Sequence, residues 1–135
     1  MPEKRTLERA RRDRRQGKRP STEAGEFVRE EIHHVHEGKH GARSTKQAIA
    51  IGLSKARRAG VDLPPPRRGK TSTRRSAESA YRAGQRGKRR GSSRRSRATL
   101  RALKREPRSS ASRGALSRQA KTAAKRRKTS ARRAA

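Results

Sequence analysis

The sequence contains no cysteine and no tryptophan, and its only aromatic residues are Phe27 and Tyr81. Disulfides, thiolate metal sites and cysteine nucleophiles are therefore excluded, and the aromatic side chains that stack on unpaired bases are nearly absent. The longest run of apolar or glycine residues spans 48–53, whereas a membrane-spanning helix needs about 20 such residues. The N-terminus also lacks the apolar stretch of a secretory signal. We therefore expect a cytoplasmic protein with no membrane partner.

Acidic residues are scarce as well. The chain has 11 of them against 42 lysines and arginines, which gives a net charge of +31 over 135 residues. A chain this basic binds polyanions. Arginine outnumbers lysine by 31 to 11, which favours phosphate as the ligand because a guanidinium group makes bidentate contacts. We therefore expect nucleic acid as the partner.

The charge is distributed unevenly over three segments. Residues 1–20 carry nine basic and three acidic side chains, residues 21–66 seven and six, and residues 67–135 twenty-six and two. The nearly neutral middle segment holds most of the large apolar residues. Because the flanks have few side chains that can offset the entropy of ordering the backbone, we predict one folded segment, 21–66. It lies between a basic N-terminal arm, 1–20, and a basic low-complexity tail, 67–135, both largely disordered with transient helices.

The middle segment shows the periodicity of two helices, so the predicted fold class is all-α. The first helix is expected over about 23–37, with Ser21 or Thr22 as its N-cap and Gly38 just past its end. Apolar residues recur at helical spacing along this segment and mark the face that is buried.

The second helix is expected over about 45–59. Ser44 and Gln47 have the spacing of a capping box, and Gly60 supplies the stop. Gly52 lies beside the apolar stripe, where another backbone can approach closely. The two helices predict a hairpin, and its expected core consists of Phe27, Val28, Ile32, Val35, Ile49, Leu53 and Ala56.

Two helices of this length bury little apolar surface, and a unit this small usually needs support from a partner. The first helix is rich in glutamate and the second in lysine and arginine, which favours their mutual attraction. We expect the hairpin to be completed by a second copy, giving a homodimer, or by folding on another partner.

The stretch KQAIAIGLSKA, residues 46–56, resembles the second helix of a small bacterial domain family of unknown function. The matching segment covers about residues 25–60, and the shared residues are Lys46, Gln47, Ala48, Ile49, Ala50, Ile51, Leu53, Ser54 and Ala56. The resemblance implies a bacterial source and a helical hairpin, and it carries no activity. The tail resembles histone-type linker tails in composition alone.

The histidine-rich segment HHVHEGKH is a weak candidate for a metal site. His33, His36 and His40 have spacings that one helical face can gather, but Gly38 is expected to end the helix before His40. We favour polar histidines at the negative end of a helix and expect neither a metal nor another cofactor. GKTS, residues 69–72, lacks the upstream glycine of a phosphate-binding loop. No arrangement typical of a catalytic site is present, so we predict that the protein is not an enzyme and has no small-molecule substrate.

Short basic clusters recur along the arm and the tail, and we expect them to contact nucleic-acid phosphates without reading the bases. They are Arg11, Arg12, Arg14, Arg15, Arg67, Arg68, Arg74, Arg75, Lys88, Arg89, Arg90, Arg94, Arg95, Lys125, Arg126, Arg127, Lys128, Arg132 and Arg133. The predicted function is a histone-like, nucleoid-associated protein that binds duplex DNA in preference to RNA and bridges or compacts it. The alternatives are an RNA- or ribosome-associated basic protein, and an adaptor that docks a protein on the hairpin while its tail localises it to nucleic acid.

Overall fold

A computed structural model describes residues 2–87 and 92–134, which form helices and connecting loops without a strand. This agrees with the predicted all-α class. The helices are α1, Lys4–Arg15; α2, Pro20–Glu37; α3, Thr45–Arg58; α4, Thr71–Gln85; α5, Ser93–Lys104; a 3₁₀ turn, Ser109–Ala111; and α6, Arg113–Ala134.

The helical hairpin consists of α2 and α3, which pack against each other. Helix α2 begins at Pro20, three residues before the predicted start, because proline at the first turn is already in the helical φ range. The predicted N-caps Ser21 and Thr22 therefore lie inside the helix, which corrects that assignment. Gly38 ends α2 with φ of 81°, in the left-handed region where glycine is favoured.

The start of α3 follows the capping box that the sequence predicts. The hydroxyl oxygen of Ser44 accepts a hydrogen bond from the Gln47 backbone N–H at 3.1 Å. The Gln47 side chain in turn accepts from the backbone N–H of Arg43, one residue earlier than the usual reciprocal bond. At the other end, Gly60 has φ of 97° and turns the chain out of the helix.

The hydrophobic core is built around α2 in two clusters. One contains Phe27 with Ala10, Ala24, Ala56 and Val61. The other contains Val35 with Ala42, Ala48 and Ala111. Of the residues predicted for the hairpin core, three are buried and four are half-buried; the buried ones are Phe27, Val35 and Ala56, and the half-buried ones are Val28, Ile32, Ile49 and Leu53.

The N-terminal segment is a helix packed on the hairpin, which corrects the prediction of a disordered arm. Ala10 of α1 is buried in the cluster around Phe27, and Leu7 packs against the same cluster. The Thr6 hydroxyl donates to the Glu30 carboxylate at 3.2 Å. A single apolar stripe on α1 is therefore enough to dock it, although its mean composition is strongly basic.

The described part of the tail also departs from the predicted disorder. Helix α4 packs on α3 and buries Ala77 and Ala80. The Tyr81 hydroxyl donates to the Asp62 carboxylate at 2.6 Å, and this bond to a carboxylate raises the pKa of Tyr81. Small side chains on α4 let it approach α3 closely, which a count of large apolar residues does not register.

A second part of the tail, residues 103–111, closes the open end of the hairpin. The backbone N–H groups of Gly41 and Ala42 donate to the carbonyl oxygens of Leu103 and Pro107 at 2.8 and 3.0 Å. The Thr45 hydroxyl donates to a carbonyl of the same segment at 2.7 Å. This segment therefore pairs with the loop between α2 and α3 and fixes where α5 and α6 leave the folded unit.

Docking of α1, α4 and residues 103–111 covers the hairpin within one chain. Among the large hydrophobic side chains of residues 2–87 and 92–134, the exposed one is Leu100, at 42%. The homodimer was predicted because the hairpin alone buries little apolar surface. Segments of the same chain provide that burial, and the homodimer stays a prediction.

Amide hydrogen exchange on the full chain provides a direct check of this docking. We expect the amides of Gly41 and Ala42 to be protected, because the tail carbonyls accept from them. The neighbouring amide of Arg43 belongs to an exposed residue and is bonded only to the Gln47 side chain, so it serves as the rapidly exchanging control. Equally rapid exchange at all three amides would show that residues 103–111 leave the hairpin free.

Candidate nucleic-acid interface

Helix α6 is a long basic helix that carries nine lysines and arginines and no acidic residue over 22 positions. At a rise of about 1.5 Å per residue it is about 33 Å long. Its half-buried side chains include Leu116, Gln119 and Ala123, whose 3–4 spacing defines one face. The rest of the helix is available to a ligand in solution.

Five cations line the opposite face of α6. They follow the same 3–4 spacing, offset by two positions from the half-buried face, and all are exposed: Arg118, Lys121, Lys125, Lys128 and Arg132. Two positions correspond to about 200° around a helix with 3.6 residues per turn. This set, which we call the α6 stripe, therefore presents its charge away from the folded unit.

Helix α5 has a shorter version of the same pattern. Arg94, Arg97, Arg101 and Lys104 are exposed at 3–4 spacing, whereas Leu103 on another side of the helix is half-buried. The Ser92 hydroxyl caps the helix by accepting from the Arg95 backbone N–H at 3.3 Å. We call these four cations the α5 stripe.

The described residues among the predicted phosphate contacts are all exposed. They are Arg11, Arg12, Arg14, Arg15, Arg67, Arg68, Arg74, Arg75, Arg94, Arg95, Lys125, Arg126, Arg127, Lys128, Arg132 and Arg133. The remaining three, Lys88, Arg89 and Arg90, lie outside the described residues. The two stripes add cations that adjacent clusters in the sequence did not reveal: Arg97, Arg101, Lys104, Arg118 and Lys121.

Some cations of α1 already have partners in the fold. The Arg14 guanidinium lies 3.8 Å from the Glu23 carboxylate and 3.5 Å from the Gly60 carbonyl oxygen. The Arg9 guanidinium lies 3.9 Å from the carboxylate of Glu26. The carboxylates of Glu23 and Glu26 therefore face α1 and reduce its effective positive charge. The carboxylate of Glu31 instead pairs with Lys55 of α3, in line with the predicted attraction between the hairpin helices.

The guanidinium group of Arg57 is used within the fold and is not available to a ligand. It donates to the backbone carbonyl oxygens of Leu63 and Pro64 at 3.0 and 3.3 Å, and burial lowers its pKa. Arg57 therefore fixes the turn after α3 rather than meeting a ligand.

The three histidines proposed as a weak metal candidate are not brought together. His33 pairs with Glu37 at 2.7 Å and is largely exposed, and His36 is exposed as well. His40 is buried and lies beside Glu31. The histidine that lies beside His40 is His34, which is not among the predicted ligands.

Residues 3–68, which contain α1 to α3, match a family model described as a family of unknown function (DUF6496). The matched segment covers just under half of the chain. The match confirms the predicted resemblance to a domain family of unknown function and extends it over α1. No significant match to a curated protein or to a solved structure was found.

The DUF6496 match ends before α4, so both basic stripes lie outside the matched residues. The DUF6496 segment and the stripes are nevertheless in contact through residues 103–111, which bond to the loop between α2 and α3.

None of the described helices combines the length and hydropathy needed to cross a lipid bilayer.

Proposed function

We propose that this protein is a non-sequence-specific, histone-like DNA-binding protein of the nucleoid, in which α5 and α6 neutralise phosphates along a duplex. The observation that carries the proposal is the pair of exposed stripes, which together present nine cations at helical spacing. Neither helix contains an acidic residue, from Ser93 to Lys104 in α5 or from Arg113 to Ala134 in α6. A solvated helix of a monomeric protein usually alternates both signs of charge. Helices without one acidic residue favour a polyanionic ligand.

The energetics follow from counterion release. Double-stranded DNA carries about one negative charge per 1.7 Å of axis, so a helix of about 33 Å spans many phosphates. Each phosphate that a lysine or arginine neutralises releases bound counterions and adds affinity that does not depend on sequence. Duplex DNA is favoured over single strands because Phe27 is buried and Tyr81 bonds to Asp62, which leaves no described aromatic side chain to stack on bases.

The folded unit acts in this proposal as the anchor of the two basic helices. Residues 103–111 run from the last two residues of α5 to just before α6, and they are bonded to the hairpin. The two stripes therefore start from one fixed junction, and each can engage its own stretch of phosphates. Linking two weak sites in this way raises the overall affinity and would let one molecule bridge neighbouring duplex segments.

The test is a salt titration of the full chain on a random-sequence DNA duplex, with a variant in which Lys121, Lys125, Lys128 and Arg132 are glutamine. At about 0.9 per phosphate, loss of four contacts should make the log–log salt slope shallower by about 3 to 4. The matched control replaces four exposed cations of α2, α3 and their flanks, Arg29, Arg43, Lys46 and Arg58, by glutamine. We expect the control to keep a slope close to that of the unmodified chain.

If the salt slope became shallower by the same amount in the two variants, net charge alone would drive binding, and the assigned interface would be wrong. A structured RNA hairpin at the same salt concentration tests the ligand class. Tighter binding to the RNA than to the duplex would favour an RNA- or ribosome-associated protein instead.

A further inference from the structure

A buried cluster of ionisable side chains lies at the junction of α2, α3 and the loop between them. Glu31 of α2 is fully buried. One of its carboxylate oxygens, Oε1, is paired with the ammonium group of Lys55. The other, Oε2, lies 3.0 Å from Nε2 of His40, and Nδ1 of His34 lies 3.8 Å from Oε1.

The orientation of the His40 ring leaves a lone pair directed at this carboxylate. Nδ1 of His40 lies 2.8 Å from the carbonyl oxygen of Gly41, and because a carbonyl only accepts, Nδ1 is the nitrogen that carries the proton of the neutral ring. Nε2 is then an acceptor facing Glu31 Oε2, which is also an acceptor. Two acceptors at this distance need a proton or a metal ion between them.

His34 has the complementary arrangement. Its Nε2 lies 3.0 Å from the Glu3 carboxylate, so Nε2 carries the proton and Nδ1 presents its lone pair toward Glu31. The rings of His34 and His40 meet edge to face, with centroids 6.1 Å apart.

We propose that Glu31 Oε2, His34 Nδ1 and His40 Nε2 bind a divalent transition-metal ion of the zinc class. These three residues each offer a ligand atom within 4.8 Å of the other two. Zinc bonds to nitrogen and oxygen of about 2.0–2.2 Å place tetrahedral donors about 3.3 Å apart. The 3.0 Å separation of His40 Nε2 and Glu31 Oε2 is close to that value, and the ligand atom of His34 lies within 4.8 Å of those of the other two residues.

Each of the three ligands has an outer partner of the kind that orients ligands in metal sites. Glu3 holds the far nitrogen of His34, the Gly41 carbonyl holds the far nitrogen of His40, and Lys55 holds the far oxygen of Glu31. Three protein ligands leave a fourth position for water. A groove of about 370 Å³ between α1 and α2 is lined in part by Glu3 and His34 and brings solvent to the outer side of His34.

A second triad competes for the same histidine. Glu3, Glu30 and His34 also have ligand atoms within 4.8 Å, and Oε2 of Glu30 is buried without a hydrogen-bond partner among the described residues. We call Glu31, His34 and His40 the inner triad, and Glu3, Glu30 and His34 the outer triad. The inner triad is favoured because it supplies two imidazoles, which suit zinc, and because two of its members are buried. The two triads share His34 alone, so variants of Glu30 and His40 separate them.

Calorimetric titration of the full chain with Zn²⁺, in the absence of nucleic acid, tests the proposal. We expect one ion per chain, with X-ray absorption of the loaded protein showing two imidazole nitrogens and one carboxylate at about 2.0 Å. His34→Gln and His40→Gln should abolish this binding. The exposed histidines of the same segment give matched controls, and His33→Gln and His36→Gln should leave it unchanged.

Positioning residues provide a graded readout. Glu3→Ala removes the outer partner of His34 and should weaken Zn²⁺ binding about 10- to 100-fold, whereas Glu30→Gln should have little effect. Loss of binding in Glu30→Gln with retention in His40→Gln would assign the ion to the outer triad. The proposal is wrong if the full chain binds no stoichiometric Zn²⁺, or if X-ray absorption does not show two imidazole ligands. A proton would then hold the cluster together. Neither result bears on DNA binding.

Discussion

Replacing Phe27 by alanine is expected to lower the free energy of unfolding by about 3–5 kcal/mol. Phe27 is 1% exposed and is the largest side chain in the core. It packs with Ala10 of α1, Ala56 of α3 and Val61 beyond α3, so one truncation removes contacts between three parts of the chain. The alanines beside it, Ala10, Ala24 and Ala56, have no side-chain length with which to fill the resulting cavity.

Urea denaturation followed by circular dichroism measures this loss. Natural domains have stabilities of about 5–15 kcal/mol, so the variant should unfold at a much lower urea concentration or be unfolded without urea. Leu100→Ala is the control, since Leu100 is exposed and its truncation should change stability by less than about 0.5 kcal/mol. Similar midpoints for the two variants would mean that Phe27 does not hold α1 to the hairpin.

The hairpin was predictable because its signals are local. The hydroxyl of Ser44, the left-handed turn at Gly38 and the 3.6-residue recurrence of apolar side chains around Phe27 each act within one or two helical turns. Such features depend on backbone geometry that neighbouring residues set by themselves. The match of residues 3–68 to one family agrees with a folded unit in this part of the chain.

The packed flanks were not predictable from composition, because alanine and glycine contribute little to a count of large apolar residues. Ala10, Ala77 and Ala80 are buried where α1 and α4 meet the hairpin. A β-carbon on Gly84 would lie 1.7 Å from the Arg57 carbonyl oxygen, so α4 touches backbone there. Helices that meet through small residues gain packing from close approach, and net charge gives no information on it.

The histidine cluster was missed for a different reason. Spacing along one helix groups His33 with His36, but Gly38 turns the chain back and delivers His40 to the face that carries Glu31 and His34. The direction of the chain after a left-handed residue depends on what the following loop packs against. Here that is the tail segment 103–111, which is distant in sequence.

The basic stripes are contained in the sequence, given that α5 and α6 are helices. Residues 118, 121, 125, 128 and 132 recur at the period that marks any helical face. Adjacent basic residues in the sequence, by contrast, point to different sides of a helix. In an exposed helix the ligand meets one face, so cations three and four positions apart act together.

Gly52→Ala and Gly25→Ala should change stability in opposite directions. Both glycines lie inside helices, where alanine is favoured by about 0.8–1.0 kcal/mol. Gly25 is on the exposed side of α2, and a β-carbon there would meet nothing within 4 Å. That substitution should therefore stabilise the chain by about 0.5–1 kcal/mol.

Gly52 lies where α3 crosses α2. A β-carbon there would stand 2.5 Å from the Val28 Cα and 2.9 Å from its backbone nitrogen. Since both atoms belong to backbone, no side-chain rotation relieves the overlap, and the two helices must separate. Overpacking of a core costs about 1–3 kcal/mol and occasionally more, which exceeds the gain in helix propensity. We expect a net loss of about 1–2 kcal/mol.

Urea midpoints of the two variants and the unmodified chain, measured side by side, decide the matter. The pair is matched in chemistry, so any difference reports the space around each glycine. Because separation of the helices would loosen the contacts of Phe27 with Ala56, the Gly52 variant should also expose more apolar surface to a dye. If both substitutions stabilised the chain, α2 and α3 would not cross as closely at Gly52 as described here. The packing of the hairpin core would then be wrong.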